Sequence, residues 1–147
     1  MVFLHGCREV NSISEIDSYV KLIDVQTDLE ENTVEFDEQA FQNEEQRIQS
    51  INSLSDKEGS IKKIQAVITL PGQETNYLEF YYNQDSLKYA SFIAVTHTLL
   101  DTIINSEYYF NSSSLIGQND WEEESIDPQL IIQSSQFYIA YMNQLKE

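Results

Sequence analysis

Few residues in this sequence could perform covalent chemistry. Cys7 is the single cysteine and follows His5 closely, and a cysteine beside a histidine can form an activated thiolate. The second histidine, His97, falls at the border of an apolar stretch, where a hydrogen-bonded structural histidine is the commoner case. No nucleophile elbow or cysteine-hydrolase signature surrounds Cys7. We therefore predict no catalytic residue and a protein that is not an enzyme.

The sequence also gives little support for a metal or phosphate site. Zinc sites need several Cys and His residues at short spacings, and this chain has one Cys and two His. The acids of Asp120–Glu124 could contact calcium, but they lack the central glycine and the ligand spacing of a calcium-binding loop. The four glycines are isolated, so they form no phosphate-binding loop. We predict no metal site and no cofactor.

The chain carries a large unbalanced negative charge. It has 25 Asp and Glu residues against 8 Lys and Arg residues, for a formal net charge of -17. Between Asp24 and Glu45 there is no basic residue, yet Leu29, Val34 and Phe36 are interleaved with the acids, so part of this stretch must pack. This charge disfavours direct binding to nucleic acid or to an anionic membrane and favours a basic protein as the partner.

We predict a partner-binding surface made of this acidic stretch and a second acidic segment around Trp121. Trp121 lies between acids, so we expect its side chain to be partly exposed and to serve as an interface anchor. The predicted partner-binding residues are Asp28, Glu30, Glu31, Glu35, Asp37, Glu38, Glu44, Glu45, Trp121, Glu122, Glu123 and Glu124.

The spacing of the acids between residues 30 and 45 raises the hypothesis of nucleic-acid mimicry. If this stretch were wholly helical, it would present roughly one carboxylate per 3.4 Å, which is close to the phosphate spacing along one DNA strand. An extended backbone would lower that density by about half. Mimicry by this stretch therefore depends on its being helical.

Two helices are predicted in the first third of the chain. Ser12 and Glu15 form a capping-box pattern ahead of an apolar series, which predicts a helix over 13–24, although its tail, Tyr19–Val25, also fits a strand. Apolar residues at helical spacing predict a second helix over 38–54, with Asp37 as its cap.

Two further helices are predicted in the second half. Apolar side chains on a wide arc predict a central core helix from Asp85 to Asn105. Asp127 followed by Pro128 is typical of a helix start and predicts a last helix packed on the same core. Its predicted core-facing side chains are Leu130, Ile131, Phe137, Tyr138, Tyr141, Met142 and Leu145.

The remaining segments complete a single predicted domain spanning 1–147. Alternating apolar residues predict strands at Ile61–Leu70 and Tyr77–Tyr82, joined as an antiparallel hairpin. We expect a flexible N-terminus over 1–11 and an acidic surface loop over 111–126. The predicted fold class is α+β, mainly helical, with a small antiparallel β-hairpin packed on the central helix.

The function predicted from these features is that of a non-enzymatic acidic protein-binding module, an inhibitor or immunity-type protein that blocks a basic nuclease, toxin or nucleic-acid-binding protein. A cytoplasmic location and no membrane span are expected, while the oligomeric state is not predicted by the sequence. Leu4-His5-Gly6-Cys7 resembles the end of a lipoprotein signal, so an extracytoplasmic lipid-anchored lipoprotein or adaptor is the alternative. A small hydrolase using carboxylates or a metal is the third hypothesis.

Overall fold

The computed structural model describes residues 11–36, 47–70 and 72–145. These residues form one antiparallel sheet of seven strands with a helix on each of its faces. Each strand pairs with the next one along the chain, so the sheet is a simple meander whose two edges are its first and last strands. The strands are β1 (Glu30–Glu35), β2 (Arg47–Ser55), β3 (Ile61–Leu70), β4 (Glu74–Asn83), β5 (Ser86–Thr96), β6 (Thr102–Asn111) and β7 (Ser114–Asp120).

The two helices begin where the sequence predicted. Helix α1 (Ile13–Val25) has a complete capping box, in which the Ser12 hydroxyl accepts a hydrogen bond from the Glu15 backbone at 3.2 Å. Helix α2 (Pro128–Gln144) starts after Asp127, whose carboxylate accepts a hydrogen bond from a backbone N–H of the first turn. Both predicted helix starts are confirmed, and neither helix of the described residues is long and apolar enough to span a membrane.

The hydrophobic core lies between α2 and one face of the sheet, which we call the core face. Because side chains alternate along a strand, every second residue of β3 to β6 points toward this core. From α2, Ile131, Tyr138 and Met142 pack against it. The core face consists of Ile64, Ala66, Ile68, Leu78, Phe80, Ala90, Phe92, Ala94, Ile104, Tyr108 and Phe110.

Helix α1 lies on the opposite face, which we call the outer face, and crosses the strands. The side chain of Ile13, at its start, lies beside Gly117 of β7, whereas Asp24, near its end, contacts Tyr81 of β4 and Lys63 of β3. The 13 residues of the helix span about 20 Å, and four strand spacings cover about 19 Å. The helix therefore covers one end of the outer face and leaves the other end open.

The predicted mainly helical fold is wrong, because most of the chain forms the seven-stranded sheet. Strand β2 occupies Arg47–Ser55, within the helix predicted over 38–54. The rest of that predicted helix lies outside the described residues. The hairpin predicted from Ile61–Leu70 and Tyr77–Tyr82 is confirmed as β3 and β4, although it belongs to a much larger sheet.

The predicted central helix from Asp85 to Asn105 is also wrong, since β5 and the start of β6 occupy it. Gln84 and Asp85 both have positive φ, at 53° and 63°, and form the two-residue turn between β4 and β5. Such a turn matches the twist of the adjoining strands. Both faces of β5 carry apolar side chains, such as Ala90 on one and Tyr89 on the other. The sequence of this strand therefore shows no clear alternation of apolar and polar residues.

Two further expectations about the C-terminal third need correction. The acidic loop predicted over 111–126 contains strand β7, so the loop assignment is wrong for Ser114–Asp120. On α2, Leu130, Phe137 and Leu145 are about half exposed instead of facing the core. The helix contacts the sheet along a narrow stripe, so positions beside that stripe stay in solvent.

Candidate functional site

One residue from every strand lies at the same level of the outer face, and all seven are polar. The register places each residue opposite its neighbour on the next strand. We call this set the polar row. From β1 to β7 it consists of Thr33, Asn52, Gln65, Glu79, Ser91, Glu107 and Asn119.

Side-chain hydrogen bonds order the first half of the polar row. The amide of Asn52 donates to Gln65 at 3.2 Å, and the amide of Gln65 donates to Oε2 of Glu79 at 2.7 Å. The same Oε2 atom forms an ion pair with Lys63 at 3.4 Å. Within the described part of the chain, Oε1 of Glu79 accepts no hydrogen bond, so this carboxylate is held in place but retains accepting capacity.

The second half of the row is centred on Glu107, both of whose carboxylate oxygens accept hydrogen bonds. The phenol of Tyr89 donates to Oε2 at 2.7 Å and the amide of Asn119 donates to Oε1 at 2.7 Å, while the Tyr109 oxygen lies 3.2 Å from Oε1 and gives its one proton to Asp17. Burial raises the pKa of the Tyr89 phenol, and the hydrogen bond to Glu107 raises it further. Tyr89 therefore remains a neutral donor, and Glu107 acts as a structural acceptor.

Helix α1 is attached beside the polar row by two aspartates. Asp17 accepts a hydrogen bond from Tyr109 at 2.7 Å, and Asp24 accepts one from Tyr81 at 2.6 Å. Burial raises the pKa of the Tyr81 phenol, and its hydrogen bond to Asp24 adds to that increase. The aspartates thus fix the helix over the tyrosines, and among the described residues no other helix or strand covers the opposite side of the polar row.

That side of the polar row contains a depression of about 370 Å³. We call the surface that lines this depression the open face. A second register row crosses it through Ser50, Val67, Tyr77 and Ile93. Tyr77 is 46% exposed and is the largest side chain there. The open face thus combines an aromatic and aliphatic floor with the polar row along one side. Its lining residues are Ser50, Asn52, Gln65, Ala66, Val67, Tyr77, Leu78, Glu79, Ser91 and Ile93.

The structure does not bring the predicted partner-binding residues together on one surface. Glu30, Glu31 and Glu35 lie on the edge strand β1, and Asp28 precedes it. Trp121 and the acids Glu122, Glu123 and Glu124 follow β7, at the opposite edge. Six strand spacings separate these edges by about 29 Å. Asp37, Glu38, Glu44 and Glu45 lie outside the described residues, as do His5 and Cys7, on which the lipoprotein alternative depends.

One of the predicted acids, Glu35, adjoins the open face, and another, Glu31, contacts the polar row from its other side. Glu31 accepts a hydrogen bond from Asn52 of the polar row at 3.1 Å. Glu35 pairs with Ser50, so it continues the second register row to the edge of the sheet. Because β1 is extended, Glu31 and Glu35 are about 13 Å apart. The helical spacing required for nucleic-acid mimicry is therefore wrong for Glu30–Glu35.

The prediction that Trp121 is partly exposed is confirmed, since 59% of its surface is accessible. Its backbone N–H donates to Asn105 of β6 at 2.9 Å, which fixes the start of the acidic segment. Glu122 to Glu124 and Asp101 line a broad depression of about 640 Å³. No group of three metal-ligating side chains occurs among the residues for which the structure gives positions.

Comparison of the chain with protein-family models, curated proteins and solved structures finds no match. The role of the site must therefore be inferred from its chemistry. The open face offers an exposed phenol, amides, hydroxyls and one incompletely bonded carboxylate, and this combination suits recognition of a cationic group.

Sequence reasoning missed Glu79, Glu107 and Tyr77 as functional candidates. A signal was present for Glu79, which lies between apolar Leu78 and Phe80 in a predicted strand and so had to point away from the core. No comparable signal links Glu79 to Ser91 or Glu107. Their alignment depends on the register of β5 and β6, and the sequence predicts a helix over most of that segment.

Proposed function

We propose that the protein is a non-enzymatic binding protein that captures a basic macromolecule and blocks it, as an inhibitor or immunity protein does. The observation that supports this proposal is the open face, a part of the sheet that the described residues leave uncovered, with an aromatic floor and the carboxylates of Glu79 and Glu35 at its borders. A sheet face without a covering layer is typical of an interaction surface when apolar side chains remain accessible on it.

The distribution of charge supports a basic partner. The formal net charge is -17, and the ion pairs of the described residues use Lys62 and Lys63 as their cations. Glu35 lies at one border of the open face, and Glu31 lies on the same edge strand at the other side of the polar row. Carboxylates without neighbouring cations produce a field that accelerates association with a positively charged protein.

The geometry of the two acids in the polar row favours binding over hydrolysis. Glu79 and Glu107 are two strands apart, with backbones separated by about 10 Å. Glu107 accepts short hydrogen bonds from Tyr89 and Asn119, which hold its carboxylate as a fixed acceptor. A pair of catalytic carboxylates works best in an enclosed site where burial separates their pKa values, whereas these two lie on an open sheet.

Affinity capture from cells, followed by a test of activity, examines this proposal. We expect a captured partner with an isoelectric point above about 9, binding that weakens as salt concentration rises, and loss of the partner's activity in the complex. A variant with Glu35→Gln, at the border of the open face, should associate more slowly, whereas Glu58→Gln, in the turn between β2 and β3, removes one charge elsewhere and serves as a matched control. A neutral or acidic partner, or one that remains fully active when bound, would overturn the proposal.

A further inference from the structure

We infer that the open face binds an arginine side chain of the partner, with Glu79 as the carboxylate that receives the guanidinium and Tyr77 as the ring beside it. This inference rests on the proposed function and specifies the chemistry of its contact. It places the central contact on the middle strands of the sheet and assigns the acidic edges to attraction over longer distances.

Glu79 is prepared to receive a cation. Its Oε2 atom is held by Gln65 and Lys63, and within the described residues its Oε1 atom has no donor. Lys63 also pairs with Asp24 at 3.1 Å, so two carboxylates share one ammonium group. This trio retains a net negative charge, which a guanidinium would neutralise.

Tyr77 supplies the apolar half of the contact. Its ring is 46% exposed, and the register places Val67 on one side of it and Ile93 on the other. The methylene groups of an arginine can pack on these aliphatic side chains while the guanidinium lies over the ring. The planar guanidinium of arginine both stacks on a ring and donates hydrogen bonds in several directions, and lysine has no such group.

Hydroxyl groups provide further acceptors around the same position. Ser50 and Ser91 line the depression, and neither hydroxyl forms a hydrogen bond to the other described residues. A guanidinium has five N–H donors, more than one carboxylate can accept. The depression of about 370 Å³ lies at the lower end of the size range of ligand sites, which suits one inserted side chain.

Titration of the isotope-labelled protein with a short arginine-rich peptide, followed by NMR, tests this inference. We expect the largest amide shifts at Tyr77, Glu79 and Ser91, and weaker binding of the matching lysine peptide. Glu79→Gln should weaken binding of the arginine peptide about tenfold, because the amide keeps the shape of the carboxylate but loses its charge. Glu123→Gln removes the same charge from the opposite edge and should change binding less than about twofold.

A second variant and NMR spectra of both variants recorded without peptide separate a loss of binding from a loss of folding. Tyr77→Leu preserves an apolar side chain and should reduce the preference for arginine over lysine. Native-like spectra of both variants exclude unfolding as the cause. Shifts confined to β1 or the Glu122–Glu124 segment, or equal effects of Glu79→Gln and Glu123→Gln, overturn this inference and leave the proposed function standing. If no basic peptide and no basic partner binds, both this inference and the proposed function are overturned.

Discussion

The phenol of Tyr81 donates a 2.6 Å hydrogen bond to Asp24, and this contact joins the last turn of α1 to the middle of the sheet. Lys63 reaches the same Asp24 oxygen at 3.1 Å and lies 4.8 Å from the centre of the Tyr81 ring. One aspartate therefore connects the helix to two strands. This contact determines how much of the outer face the helix covers and where the open face begins.

Removal of that phenol should loosen the helix without disturbing the core. Tyr81→Phe deletes the hydrogen bond to Asp24, and we expect the free energy of unfolding to fall by about 1–2 kcal/mol. Urea denaturation followed by circular dichroism measures the change. Tyr77→Phe, which deletes an exposed phenol on the same strand, should cost less than about 0.5 kcal/mol. Equal effects of the two substitutions would show that the contact contributes nothing to stability.

Adjacent positions on α2 should respond very differently to truncation. Ile131 is 2% exposed, whereas Leu130 is 53% exposed. We expect Ile131→Ala to lower the free energy of unfolding by about 2–5 kcal/mol and Leu130→Ala to lower it by less than about 1 kcal/mol. Urea midpoints of the two variants provide the measurement. If Leu130→Ala cost more than Ile131→Ala, α2 would have to be rotated about its own axis so that a different side faced the sheet.

Gly117 lets α1 lie close to β7. A Cβ atom added there would be 2.6 Å from Cδ1 of Ile13, which is too close for two carbon atoms. We expect Gly117→Ala to cost about 1 kcal/mol, since the end of the Ile13 side chain can rotate away. Combining it with Ile13→Val, which removes Cδ1, should recover most of that loss. A double-mutant cycle in urea measures the coupling, and purely additive effects would contradict this contact.

Stability should decline in alkaline solution because buried phenols resist ionisation. Burial raises the pKa of Tyr138 to about 12, from a value near 10 in the unfolded chain. The stabilising contribution is therefore complete below about pH 10 and is lost as the pH rises toward 12, at up to about 1.4 kcal/mol per pH unit. Tyr138→Phe should reduce the slope of stability against pH in urea titrations between these values. An unchanged slope would contradict the raised pKa of Tyr138 in the folded protein.

The two acidic edges should act independently in partner capture, because they are about 29 Å apart. Glu31→Gln with Glu35→Gln alters the edge formed by β1, and Glu122→Gln with Glu123→Gln alters the opposite edge. We expect the effects on association rate to add within about 0.5 kcal/mol. Stopped-flow measurements at low salt provide the test. Strong coupling between the edges would indicate one continuous contact surface.

The sequence was informative where a signal is local. The capping box at Ser12 and the Asp127-Pro128 pair each depend on neighbouring residues, and both helices begin there. The alternation in Ile61–Leu70 identified a strand because one of its faces is clearly more buried than the other. In Ser86–Thr96 both faces carry apolar residues, so a helical period fitted equally well.

The candidate site could not be predicted in the same way. Thr33 and Asn119 belong to one row only because six consecutive strand pairings bring them to the same level. An error in any one of those pairings moves every later residue to another level or another face. The acidity of the chain was evident from composition, but the location of the open face depended on this long series of registers.

The strand order has a consequence for how the chain folds. Each strand meets its neighbour through a short stretch of sequence wherever the structure describes the connection, so hairpins can form one after another at low contact order. Helix α1 is different, because it precedes the sheet in the chain yet contacts Gly117 in the last strand. During synthesis its last turn can dock on β3 and β4 first, but its first turn can reach β7 only after nearly all of the sheet has emerged from the ribosome, which makes complete docking a late folding step.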